Sequence, residues 1–191
     1  MMRPTMGSIS STMAVLLTLA LAGRAAAQEA AAYSADVSAE WVFFDLSTPE
    51  GIVEVSDPLS SDAWDIGVMN TNVSVNGGES GPAGVVAYCL CANQALGSDE
   101  IQALTAEGEL ADFEAVTAAD IPSDPSAWDS GAISTSSWYR YNLAGQHQIW
   151  PTYDVYLLKR GDEVYKLQFT SFYSPIGLPR HVSFRAAKLA G

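Results

Sequence analysis

Two apolar runs near the C-terminus constrain this chain most: Val155-Tyr156-Leu157-Leu158-Lys159 and Val164-Tyr165-Lys166-Leu167-Gln168-Phe169, separated by Arg160-Gly161-Asp162-Glu163. Residues that favour pleated, half-buried backbone fill both runs, and a Gly-Asp pair lies between them. That is the pattern of a β-hairpin with a tight turn. In the second run a period of two puts Tyr165, Leu167, Phe169, Ser171 and Tyr173 on one face, and Lys166, Gln168, Thr170 and Phe172 on the other.

Further strands follow from the same reasoning. Trp138 to Tyr141, Gln148 to Trp150 and His181 to Arg185 complete the C-terminal third, the last after a proline-glycine loop from Ser174 to Pro179. In the N-terminal half, Trp41 to Leu46 is stopped by Ser47 to Gly51, and Ile52 to Val55 reads as its hairpin partner. Trp64 to Met69, Val73 to Val75 and Gly84 to Leu90 are strands as well. Between Ser98 and Ala119 the period changes: Ser98 suits a helix cap, and Ile101, Leu104, Leu110, Phe113 and Val116 recur at helical spacing. Residues 121–137 read as a loop. The expected fold is all-β, an antiparallel β-sandwich with one or two short helices inserted.

The first residues point to export. Arg3, the apolar run from Ala14 to Ala22, and small residues up to Ala27 describe a secretory signal peptide over residues 1–27. The run is shorter than the roughly 20 apolar residues a membrane span needs. No cysteine lies near the cut, so a soluble periplasmic or secreted product is expected. Residues 28–39, alanine-rich, read as a loose leader to a single domain over 40–191. Without Arg3 and Arg24 the chain keeps 7 cations against 22 acids. Nucleic acid and anionic lipid both need basic patches, so neither is an expected partner.

Cys89 and Cys91 share a strand face, near the limit of disulfide reach, so oxidation requires a bend there. Export favours the oxidised pair, and two thiolates alone do not complete a metal site. No nucleophile elbow, phosphate-binding glycine loop or paired-histidine zinc helix is present, and a binding protein rather than an enzyme is expected. The chain has two histidines, His147 and His181, both near strand ends. Two neutral imidazoles there suit the opposite faces of a flat iron macrocycle; they equally suit two unrelated surface positions. Aromatic residues crowd the same third of the chain. Most fill the core, and a few at strand ends can wall a flat ligand, with hydroxyls such as that of Tyr173 and the guanidinium groups of Arg180 and Arg185 meeting its carboxylates.

Several of these segments resemble one family. Trp41 to Leu46, Trp64-Asp65-Ile66 and Asn76 to Pro82 are similar to the N-terminal half of HmuY-like proteins, and Tyr165 to Tyr173 followed by His181-Val182-Ser183-Phe184-Arg185 to the C-terminal half. The resemblance covers roughly residues 40–189. It implies a haemophore: an all-β protein that captures b-type, non-covalent haem for iron acquisition, with host or environmental haemoproteins and an outer-membrane haem receptor as partners. It further implies His147 and His181 as the axial ligands of the iron. The alternative is a module of the same fold for another tetrapyrrole, a hydrophobic ligand or a protein partner.

Overall fold

The structure, a computed structural model, describes residues 29–133 and 137–189. The expected signal segment, residues 1–27, lies outside the described residues. Eleven strands and two short α-helices follow one another among them. The strands are β1 (Ala31–Asp36), β2 (Val42–Phe44), β3 (Ile52–Val53), β4 (Ile66–Met69), β5 (Asn72–Val75) and β6 (Val86–Cys89). Helices α1 (Ser98–Ala103) and α2 (Leu110–Ala115) come next, then β7 (Tyr139–Tyr141), β8 (Ile149–Pro151), β9 (Val155–Arg160), β10 (Glu163–Tyr173) and β11 (Pro179–Lys188).

All pairings are antiparallel. One sheet has the order β1-β11-β10-β9-β6, a second β3-β2-β4-β5, and β7 pairs with β8 in a separate ribbon. The β9–β10 hairpin has the expected register, with Glu163 opposite Arg160 and Leu167 opposite Tyr156. The two larger sheets face each other across one core. Tyr33, Leu167 and Phe184 of the first meet Phe44, Ile66 and Val68 of the second. Tyr33 stacks on Phe184 at 4.9 Å, and Phe44 meets Phe184 edge-on at 5.0 Å. Each such ring contributes roughly 1.5–3 kcal/mol through burial. Asp65 joins the sheets at one end, accepting from Leu46 N at 2.8 Å and from Arg160 Nη1 at 3.1 Å.

The other face of the first sheet is covered too. Phe113 and Val116, in and after α2, pack on Leu157, Val164 and Ala187. Burial on both faces explains why Val155–Leu158 and Val164–Phe169 are buried without interruption, where a half-solvated strand would alternate. The helical insertion starts where expected, although the cap of α1 is Gly97, whose N–H donates to Glu100 Oε2 at 2.7 Å.

Two expectations change. Residues 28–39 are not all loose: Ala31–Asp36 form β1, paired along its length with β11, Ala31 opposite Ala186 and Asp36 opposite His181. Tyr33, Ala35 and Val37 are buried in alternation with exposed Ser34, Asp36 and Ser38. The face assignment in β10 holds only to Phe169. A register shift follows, Ser171 Oγ accepts from Tyr173 N at 2.8 Å, and Phe172 turns into the core beside Trp138. At Cys89–Cys91 the required bend exists: Cys91 has φ 51°, the Cα atoms lie 5.0 Å apart and the disulfide is formed. At Gly51, with φ +68°, a Cβ would fall 2.3 Å from the Tyr33 ring, so the β2–β3 turn needs glycine there.

Candidate functional site

The β7–β8 ribbon carries His147. Tyr141 lies opposite Ile149, and residues 142–148 close the turn between them. Asn142 shapes that turn. Its N–H donates to Gln148 O at 2.7 Å, and its Oδ1 accepts from His147 N at 2.8 Å. Asn142 and His147 both adopt left-handed backbone, with φ 60° and 56°. The His147 side chain is exposed, and its Nδ1 lies 2.5 Å from Tyr141 Oη.

His181 lies near the start of β11, half-buried and opposite Asp36. It shares the outward face with Ser183 and Arg185, since Val182, Phe184 and Ala186 point into the core. Asp36 is held below the usual carboxylate range, chiefly by Ser38, with a smaller contribution from His181. The turn before β11 is ordered by Ser174 N donating to Leu178 O at 2.8 Å and Leu178 N to Ser174 Oγ at 3.0 Å. That turn nevertheless exposes Ile176 (82%) and Leu178 (59%).

One hydrogen bond links the two regions. Ile149 N donates to Tyr173 Oη at 2.9 Å, and Tyr173 lies opposite Pro179 across β10 and β11. His147 precedes Ile149 by two residues, and His181 follows Pro179 by two. The chain of contacts thus runs from the β7–β8 ribbon through Tyr173 to the start of β11, where Arg180 is exposed; no contact joins the two histidines themselves among the described residues.

Arg185 is not part of that chain of contacts. It lies four residues beyond His181 along β11, about 13 Å away at strand spacing. Its Nε donates to Gln168 Oε1 at 2.8 Å, its Nη2 to Ala106 O, and its guanidinium lies 5.5 Å over the Phe113 ring. It pins the helical insertion to the sheet. Lys166 is committed in the same way, donating to Phe113 O at 2.8 Å and Val116 O at 2.9 Å. Burial lowers the pKa of both cations.

Two hollows lie beside β10. One, about 450 Å³, is bordered by Ser34, Leu110, Thr170, Ser183 and Arg185; the other, about 220 Å³, lies between β8 and the end of β10, beside Trp150 and Tyr173. Thr170 borders both. Of these two, the larger falls in the range of small-molecule sites, roughly 300–1,000 Å³. Sequence reasoning missed Tyr141 and Asn142 as neighbours of His147. The signal was local: an asparagine followed by Ala144-Gly145 marks a turn that folds an aromatic ring back onto the histidine.

Among the described residues no helix is long and apolar enough to cross a membrane, and no group of three or more His, Cys, Asp or Glu is placed to hold a metal ion. Comparison with known proteins gives a consistent result. PinO from Porphyromonas gingivitis, in its apo form, is similar with a TM-score of 0.51 at 13% identity, over 85% of this chain and 98% of that one. An apo HmuY analogue from Tannerella forsythia gives 0.48 at 15%, over 87% and 100%. A Bacteroides vulgatus protein described as HmuY-like and haem-binding gives 0.47 at 15%, over 83% and 91%. At 13% identity the likeness to PinO speaks to the fold alone. No curated protein matches. The sequence profile of the HmuY protein family matches residues 38–185, well over half of the chain, and the chain belongs to that family.

Proposed function

We propose that this domain is an exported haem-binding protein of the haemophore type, with His147 and His181 as axial ligands of a non-covalently held haem. Membership of the HmuY family and the description of the Bacteroides vulgatus neighbour as haem-binding support the ligand. The observation that supports the ligand assignment is the hydrogen bond from Ile149 N to Tyr173 Oη, which ties the strand that follows His147 to the strand pair that leads into His181. Two imidazole nitrogens fill both axial positions of the iron and leave none for oxygen chemistry, which suits capture and transfer. Arg180, exposed at the start of β11, is the cation suited to a haem propionate. The residues upstream of the domain serve export, and an outer-membrane receptor would take the cargo on.

Titration of the purified domain with hemin should give a sharp Soret band of six-coordinate low-spin iron. His147→Ala and His181→Ala should each shift that band. Unchanged spectra in both variants would reject the ligand assignment.

The inward commitment of Lys166 and Arg185 favours a second reading, in which the hollow beside Ser183 takes a less anionic hydrophobic ligand. That reading requires no specific hemin spectrum, with ligand uptake blocked by Ser183→Trp and indifferent to both histidines.

A further inference from the structure

We infer that Tyr141 is a positioning residue for His147, holding the Nδ1 edge of the imidazole so that Nε2 is the nitrogen presented to iron. The inference rests on the haem reading above and deepens it. Tyr141 ends β7 and is fixed in register by its pairing with Ile149. Its hydroxyl lies 2.5 Å from His147 Nδ1, with the two rings 5.9 Å apart and inclined at 38°.

The backbone beneath them is built to keep that approach. His147 N is held by Asn142 Oδ1, and both residues occupy the left-handed region, which costs a non-glycine residue roughly 1–2 kcal/mol. Asparagine tolerates that region, so the strain falls chiefly on His147, whose backbone N–H the Asn142 side chain holds.

The chemistry agrees. An imidazole that ligates through one nitrogen keeps its proton on the other, and an acceptor for that N–H fixes the tautomer, aims the ring and strengthens the donor. A phenolic oxygen accepts as well as donates, so the Tyr141 hydroxyl accommodates the Nδ1–H form that ligation by Nε2 requires. His181 differs. Its ring has no hydrogen bond among the described residues, and Asp36 opposite acts on it only through charge. The two ligands are therefore unequal: His147 is aimed before haem arrives, and His181 is not.

Tyr141→Phe removes the hydroxyl alone, at a side chain 56% exposed and outside the core. In the hemin-free protein, ¹³C relaxation should show a more mobile His147 ring and an unchanged His181 ring. With hemin bound, the six-coordinate spectrum should persist while hemin dissociates about tenfold faster, the low end for loss of such a supporting contact. The Fe(III)/Fe(II) midpoint should move to a more positive potential, because a weaker donor stabilises ferric iron less. Ring mobility, dissociation rate and midpoint all equal to wild type would overturn the positioning role. An unchanged hemin spectrum in His147→Ala would instead overturn the ligand assignment, and this inference with it. An altered spectrum in His147→Ala beside a wild-type-like Tyr141→Phe overturns the positioning role alone.

Discussion

Replacing Lys166 with methionine tests how the helical insertion is held. Lys166 is 6% exposed, and its ammonium bonds three carbonyls at and just beyond the end of α2: Phe113 O at 2.8 Å, Val116 O at 2.9 Å and Glu114 O at 3.3 Å. It also lies 4.7 Å over the Phe113 ring. Methionine keeps most of the apolar stem and removes the donor. The two short bonds from a charged donor are worth about 4 kcal/mol together. Release of the buried ammonium to solvent in the wild-type reference returns part of that, leaving a net loss of about 2 kcal/mol. Urea unfolding at pH 7 reads this directly. The pH dependence supplies a second reading. Burial depresses the Lys166 pKa below 10.5 in the folded state, so the unfolded chain binds that proton more tightly. Wild-type stability therefore gains from this group as pH rises toward 10.5, and the variant lacks the gain. Its deficit should widen between pH 7 and pH 10. A variant as stable as wild type, or a deficit that narrows with pH, would refute the reasoning.

Three further outcomes follow from the same structure. Burial pushes the phenols of Tyr33, Tyr153, Tyr156 and Tyr165 up, so their contribution to stability is complete below pH 10 and is lost as pH climbs through the folded values. Alkaline titration by tyrosinate absorbance should show these four of the eight tyrosines ionising only as the domain unfolds. His147→Gly should be more stable than His147→Ala by about 1 kcal/mol in chemical denaturation, because φ 56° strains any side chain but costs glycine nothing. Reduction of Cys89–Cys91 should lower stability by only about 1–2 kcal/mol with the fold retained, as befits a closed loop of three residues.

The β9–β10 hairpin was legible because its turn residues and apolar runs agree, and the change to helical spacing at Ser98 was equally clear. β1 was not, since alanine and serine disguise a strand whose stability comes from pairing with β11, some 150 positions away in sequence. Its signal was the buried alternation of Tyr33, Ala35 and Val37. The register shift after Phe169 leaves no mark in composition; it depends on Ser171 bonding the backbone of Tyr173. At the candidate site, the scarcity of histidine singled out His147 and His181 as candidates, and Arg185 was expected to meet a ligand's carboxylates. Only tertiary packing revealed that Arg185 and Lys166 face the helices, because an outward strand position becomes an interior one when a helix covers it.

A crystal structure of the hemin complex bears most directly on the whole reading. The expected result is iron bound on one side by His147 Nε2 and on the other by His181, each at about 2 Å as in other metal–imidazole bonds, with Tyr141 Oη still beside Nδ1. Hemin lodged away from either ring, or iron ligated by one histidine with the other pointing elsewhere on the surface, would contradict it.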